Sequence, residues 1–244
     1  MSNEQHKDEQ PLILAIETAT RTGGIAIARG ENVLAEVDGD PAISHSANLI
    51  EMIQEALKSA GVTLADVDLF TVAVGPGSFT GLRIGLATVK AFATHLNRKV
   101  VGVSTLAAVA HASGAKGGLV SLLPAGRGEV FAQHFSVDDG SVTATDDAQH
   151  LSPTAVLDKY ANAPDKFAGE GVSMFEKAGT NLESSKIAFA SAPLVASIAI
   201  LGFRAYREGK AVAADNLHAV YVRASDAEIN ERWQQQNRQQ PVAS

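Results

Sequence analysis

The stretch 74–93 reads VGPGSFTGLRIGLATVKAFA, and its reading decides how the chain is laid out. It begins as a strand end, breaks at Gly75-Pro76-Gly77 and enters a long helix, because neither Gly nor Pro continues a regular element. Ser78 or Thr80 is placed to cap the first amides of that helix. At about 100° per residue, Arg83 and Lys90 share one narrow stripe, while Leu82, Leu86, Val89 and Ala93 form a second face. Ile84, Ala87 and Ala91 form a third. A helix lying on one core needs a single apolar stripe; this one has two.

The preceding helix, expected over 45–60 with Ser44 or Ser46 as cap and Gly61 as stop, shows a similar excess. Its apolar set is Leu49, Ile50, Met52, Ile53, Ala56, Leu57 and Ala60. These cover roughly 160° of the wheel, against roughly 100° for a single-core stripe. Gly81, Gly85 and Thr88 in the later helix are small enough for another helix to approach closely. Two adjacent over-apolar helices imply either a docking surface for another protein or a second domain of this chain that covers them. The pattern leaves both open.

Upstream, 12–16 is a short apolar strand ending in Glu17-Thr18-Ala19-Thr20; 23–28 and 33–37 are two more, joined by a hairpin at Arg29-Gly30-Glu31-Asn32. A small capping box occupies 63–66. Strands follow at 68–74 and 99–103, and a further helix at 104–112. Three strands, helix, strand, helix, strand make an antiparallel meander followed by helical crossovers to parallel strands. That is the pattern of a mixed-sheet α/β fold, ribonuclease-H-like or actin-like. The glycines of 114–118 mark a boundary, so 11–113 is expected as the first lobe and 114–229 as a second, degenerate one. In the second, strands are expected at 119–123, 129–137 and 166–168, and helices from Ser152-Pro153 and over 172–178. A strong helix over 193–208, closed by Gly209, is a candidate to pack back on the first lobe. The segment 219–223 reads as extended. Residues 1–10 are expected as a disordered tail, and 230–244 as a Gln-rich tail holding the single tryptophan, Trp233.

Composition narrows the function classes. The 244 residues, 45% hydrophobic, suit one large or two small domains. No apolar run reaches the ~18 residues of a membrane span, and the polar start does not read as a signal peptide. The absence of cysteine excludes thiolate nucleophiles and thiolate metal sites and fits a reducing, cytoplasmic setting. With a net charge of −7 and no basic run, a direct grip on RNA or DNA is not expected. Acidic balance leaves a basic protein partner open.

Candidate chemistry is sparse. Glu17-Thr18 sits where an actin-like fold holds a nucleotide's phosphate and metal. The turn after it lacks a tight Gly-rich loop, so a solvated or capping Glu is the competing reading. Gly75-Pro76-Gly77 before a helix resembles an anion site, but no lysine follows where a phosphate loop needs one. Of the seven histidines, no two stand at the i, i+4 spacing of a helical metal pair. Ser78 is outside any nucleophile-elbow pattern. Arg127-Gly128-Glu129 is either a surface site or a hairpin edge.

Four runs carry a family likeness. They are Leu14-Ala15-Ile16-Glu17-Thr18-Ala19-Thr20, His45-Ser46-Ala47-Asn48-Leu49, Gly75-Pro76-Gly77-Ser78-Phe79-Thr80-Gly81-Leu82-Arg83-Ile84-Gly85 and Val101-Gly102-Val103-Ser104-Thr105-Leu106. With Val220-Tyr221-Val222-Arg223 they closely resemble the bacterial TsaB (YeaZ) family over about 12–223. The resemblance implies a two-lobed actin-like (ASKHA) fold and a role in forming threonylcarbamoyladenosine beside the anticodon of tRNAs reading codons that start with A. It implies a non-catalytic partner that docks on the transferase TsaD through its N-terminal lobe, pairs with itself there, and joins TsaE, an ATPase, in a larger complex. ATP or ADP and metal would belong to that assembly, and tRNA would be met only through it.

TsaD itself carries a His-x-x-x-His metal pair whose places align with Thr105 and Val109 here, so no metal or catalytic residue is expected in this chain. The interface expected from the resemblance and the helix pair draws on Leu49, Met52, Ile53, Ala56, Phe79, Leu82, Ile84, Leu86 and Val89, divided between core and interface. Glu17 and Thr18 are the candidates for a vestigial nucleotide site. The family's Asp-Ala-Arg-Met-Gly-Glu-Val stretch is Pro124-Ala125-Gly126-Arg127-Gly128-Glu129-Val130 here, which removes the Asp and the Arg position. The alternative function is an actin-like ATPase or a metallopeptidase-like enzyme acting alone.

Overall fold

A computed structural model describes residues 9–160, 166–180, 182–189 and 193–222. Most of the expected tails, 1–10 and 230–244, and Arg223 lie outside the described residues.

The first sheet has the order β3-β2-β1-β4-β5, with β1 Leu12–Glu17, β2 Gly24–Arg29, β3 Asn32–Asp38, β4 Leu69–Gly75 and β5 Lys99–Ser104. β1 runs antiparallel to β2, with Leu14 opposite Ile27, and parallel to β4, with Leu14 opposite Phe70. β1 and β4 are buried along their whole length, as continuous apolar strands must be when both faces of a sheet are covered. Edge strand β3 alternates exposed and half-buried residues. One face carries α1, His45–Ala60, and α2, Phe79–Leu96. Both helices end where the chain turns left-handed, at Gly61 (φ 68°) and Asn97 (φ 51°). The following amides return to carbonyls of the last turn, Val62 N–H to Leu57 O and Arg98 N–H to Ala93 O. Ser78 caps α2, its Oγ accepting from Gly81 N–H at 3.2 Å. Ser44 occupies the cap position of α1 but spends its hydroxyl on Ser46 Oγ, 2.7 Å away.

The second sheet comprises β6 Gly117–Gly126, β7 Glu129–Asp138, β8 Ser141–Ala144, β9 Gln149–Leu151, β10 Lys166–Ala168 and β11 Ile187–Phe189. Its order is β11-β10-β6-β7-β8, with β9 pairing the free part of β7. β8, β9 and β11 are additions to the strands read from the pattern. Its helices are α4, Pro153–Tyr160, and α5, Ser173–Lys177, the latter preceded by a 3-10 turn. The segment 219–222 forms no strand.

Two helices tie the sheets together. α3, Thr105–Ala112, follows the first sheet but packs on β6, β7 and β8 of the second. α6, Val195–Arg207, follows the second sheet and lies across all five strands of the first, on the face opposite α1 and α2. Gly202 of α6 sits so close to β4 that an added Cβ would overlap the Thr71 side chain. α3 and α6 touch each other, with His111 Nδ1 2.9 Å from Ser197 Oγ. Burial pushes the His111 imidazole below its usual pKa, and the Arg204 guanidinium adds to that.

Candidate functional site

The sheets meet at a cleft of about 920 Å³. It opens at the C-terminal ends of β1 and β4, where ligands bind in open α/β sheets. Six separate segments build it: Ala19-Thr20-Arg21, the loop Pro41–Ser46, the turn and first residues of α2, the β6–β7 hairpin, Glu170 with Met174, and Val220-Tyr221-Val222. The sequence pattern could not assemble them, because they are up to 200 residues apart along the chain.

Glu17 and Thr18, the expected nucleotide-site pair, do not line this cleft. Both are 1% exposed. The Glu17 carboxylate closes the β1 turn instead, accepting from Ala19 N–H at 2.5 Å, Thr20 N–H at 2.8 Å and Thr20 Oγ1 at 2.5 Å. Burial pushes its pKa above the usual carboxylate value, with those hydrogen bonds opposing the shift. Thr18 Oγ1 donates to Gly81 O at 2.8 Å. A Cβ on Gly81 would overlap the Thr18 carbonyl, and one on Gly85 the Thr18 hydroxyl. The small residues of α2 therefore receive β1 of the same chain, which corrects the expectation of a second helix in that place.

The cleft's polar groups are largely committed. Arg21 Nε donates to Pro41 O at 3.1 Å, and His45 Nε2 lies 2.8 Å from Thr20 O. Ser44 and Ser46 bind each other and Ser78 caps α2. Glu170 is half-buried, which raises its pKa, and Arg21 partly offsets the rise. Among the described residues no lysine and no carboxylate besides Glu170 lines the cleft, and they assemble neither a phosphate clamp nor an acid–base pair there. Among the described residues no three His, Asp or Glu side chains cluster. Thr105 and Val109 are 0% and 1% exposed, facing the core from α3. Pro124, Ala125 and Gly126 form cleft wall, and Arg127 and Gly128 are the hairpin turn, both at positive φ (54° and 81°), as a two-residue type I′ connection requires.

Of the nine residues expected to divide between core and interface, most fall to the core. Leu49, Met52, Ile53, Ala56, Leu82, Leu86 and Val89 are all under 9% exposed and belong to the core under the first sheet. Each helix packs on the strands and on its neighbour, so a wide apolar stripe is consumed inside the chain. Phe79 and Ile84 are half-buried. The exposed apolar residues of the pair are Ile50 on α1, which is 53% exposed, and Ala87 and Ala91 on α2, while half-buried Ile84 packs on the core and lines the cleft. Ile50 was in the apolar set of the pattern and the other three were its third stripe.

Two sheets of the same strand order, hinged by exchanged helices around one cleft, define a two-lobed actin-like protein. The TsaD family model, tRNA N6-adenosine threonylcarbamoyltransferase, matches residues 40–231. The chain is 27% identical to the tRNA threonylcarbamoyladenosine biosynthesis protein TsaB of Escherichia coli, over 86% of this chain and 94% of that one. It is 28% identical to the Bacillus subtilis protein of the same name, over 91% and 97%. The solved structure of YeaZ from Pseudomonas aeruginosa superposes with a TM-score of 0.75 at 26% identity, covering 86% of this chain and 99% of that chain. The chain belongs to the family that the TsaD model describes and, within it, to the TsaB (YeaZ) proteins.

Proposed function

We propose that this chain serves tRNA threonylcarbamoyladenosine formation as a non-catalytic partner of a TsaD-type transferase. The observation that carries the reading is the exposed apolar surface of the first lobe's helix pair, Ile50 on α1 and Ala87 and Ala91 on α2. Small and branched apolar residues at this spacing suit helix-on-helix docking. The committed polar groups of the cleft support the non-catalytic part. The same face would serve a homodimer and the TsaD complex in turn, with TsaE joining the larger assembly in the cytoplasm. Nucleotide, metal and tRNA would be handled by that assembly. Among the described residues, no helix is long and apolar enough to cross a membrane.

Light scattering of the chain alone and mixed with a TsaD protein from the same organism tests the reading. A dimer that exchanges into a one-to-one complex is expected, burying on the order of 1,200–2,000 Å². Ile50→Asp and Ala87→Glu should abolish the complex and its transferase stimulation while leaving the melting temperature within a few degrees. Leu82→Glu, by contrast, buries a charge and should unfold the chain. Full stimulation by both surface variants would defeat the docking face. ATP hydrolysis by the chain alone would defeat the non-catalytic role and favour the actin-like ATPase.

A further inference from the structure

The two helices of the proposed docking face carry opposite charge. On α1 the exposed ionisable residues are Glu51, Glu55 and Lys58, two acids to one base. α2 holds no carboxylate, and its cations are exposed Arg83 and half-buried Lys90. His95, in its last turn, is exposed as well. Among the described residues none of Glu51, Glu55, Lys58 and Lys90 forms an ion pair. The Arg83 guanidinium sits over the Phe79 ring, 3.9 Å from its centroid, a contact that leaves its charge unneutralised at the surface.

The charges also stand at matching depths. Both helices start at the same end of the sheet, where His45 and Ser46 share the cleft wall with Thr80 and Gly81. At about 1.5 Å per residue, Glu51 and Glu55 lie roughly 9 and 15 Å along α1, and Arg83 and Lys90 roughly 6 and 17 Å along α2. A second copy meets such a face about a two-fold axis. With the axis parallel to the helices, each α1 lies on the partner's α2 in the same direction, and acid meets base at both depths. With the axis across the helices, α1 lies on α1 and α2 on α2, like charge on like. Charges at the edge of an interface fix its register and suppress wrong pairings.

We propose that two copies of this chain pair about an axis parallel to α1 and α2, with Glu51 and Glu55 of each copy set against Arg83 and Lys90 of the other. The two acid–base seams flank the exposed Ile50, Ala87 and Ala91. The inference rests on the docking face proposed above and adds to it an orientation and a means of selecting the partner.

A full reversal, Glu51→Lys, Glu55→Lys, Arg83→Glu and Lys90→Glu together, restores complementarity within its own dimer and removes it against the unaltered chain. Native mass spectrometry of the two full chains mixed reads the pairing directly. Two homodimers are expected, with the mixed dimer at least tenfold below its statistical share. The same reversal without Lys90, whose side chain is half-buried, should show the same preference. Glu51→Lys with Glu55→Lys alone should weaken its own dimer at least tenfold, with unchanged circular dichroism. A mixed dimer favoured over both homodimers overturns the proposal, because it sets α1 on α1. Statistical mixing overturns it too, by making the charges spectators. If Ile50→Asp still dissolves that randomly mixing dimer, the docking face stands and only its orientation falls. An unaltered chain that stays monomeric removes the self-pairing along with the orientation.

Discussion

The two lobes lay down their strands in one order and differ in what joins them. β3-β2-β1-β4-β5 in the first lobe is matched by β8-β7-β6-β10-β11 in the second. The first lobe makes its crossovers with helices of 16 and 18 residues, the second with helices of 8 and 5. A parallel crossover needs only enough chain to return to the start of the next strand, so a sheet survives drastic shortening of its helices. A docking face does not, because several turns must be present to offer a stripe. On the proposed reading the first lobe supplies surface to a partner, and the second contributes turn tips to the cleft. Both lobes bring a glycine after a crossover into tight contact with the central strand, at its end in the first lobe and along its length in the second. Gly81 abuts Thr18 after β1, and Gly171 abuts Leu122 in β6.

That shared contact can be broken in each lobe separately. At Gly81 an added methyl overlaps a backbone oxygen, and Thr18 is held in place by its own bond to the Gly81 carbonyl. At Gly171 a Cβ would lie 2.8 Å from both the carbonyl carbon and the Cβ of Leu122, tight but less severe. Gly81→Ala should cost about 3 kcal/mol and Gly171→Ala about 2 kcal/mol, toward the upper part of the overpacking range, read as shifts of the urea midpoint. If Gly171→Ala were the more damaging, the short second-lobe helix would be the more rigid of the two. The comparison between lobes would then be reversed.

Acid and base should separate the lobes next. Glu17 in the first lobe is raised by burial. A raised folded pKa means that the folded state holds the proton more tightly. The stabilisation is complete below the ordinary carboxyl value of 4.5 and is lost as pH rises through the folded pKa. Asp146 in the second lobe behaves oppositely. Burial alone would raise it, but Lys159 Nζ at 2.6 Å, the His134 amide at 2.7 Å and Tyr160 OH at 2.8 Å together lower it. Its contribution is present above 3.8 and lost as pH falls through the folded pKa. Glu17→Gln should flatten the loss of stability above pH 4.5, and Asp146→Asn the loss under acid. Carbon-13 titration of the two carboxyls in the folded chain checks both signs, and a Glu17 titrating at or below 4.5 would remove the contrast.

The sequence was legible where elements were long and punctuated. Helix 45–60 is found as His45–Ala60, stopped by Gly61, and the long helix entered after Gly75-Pro76-Gly77 is found as Phe79–Leu96. Ser141–Ala144, Gln149–Leu151 and Ile187–Phe189 escaped notice because strands of three or four residues show no periodicity. Helix-wheel width misled the reading of the interface. A helix wedged between a sheet and a neighbouring helix buries as wide a stripe as one that meets a partner. Leu49, Met52, Ile53 and Ala56 are spent in that wedge, as are Leu82, Leu86 and Val89, while only Ala87 and Ala91 of the third stripe are exposed and Ile84 is half-buried. Glu17 was placed correctly at a strand tip, but a carboxylate that closes its own turn looks the same in sequence as one aimed at a ligand.

The smallest expected stability effect bears most directly on how the lobes are held. Arg204 of α6 donates from Nε to Glu31 Oε1 at 2.8 Å and from Nη2 to Oε2 at 2.9 Å. Its Nη1 donates to Gly140 O at 2.5 Å. Glu31 is in the turn between β2 and β3, and Gly140 in the turn between β7 and β8, which hold matching places in the two sheet orders. One guanidinium therefore joins corresponding hairpins of both lobes, and its bond to Glu31 lowers that carboxyl's pKa. The pair is largely solvent-exposed, so screening limits Glu31→Gln to about 0.5 kcal/mol, within the range of surface ion pairs. The larger consequence should be geometric. The chain has no native cysteine, so spin labels at Asp38→Cys and Ser141→Cys report the spacing of the lobes alone. Glu31→Gln should broaden that distance distribution, and Arg204→Ala should broaden it further because the tie to Gly140 is lost as well. An unchanged distribution in both would mean that α6, packed across the first sheet, sets the lobe angle by burial and that the arginine is incidental to it.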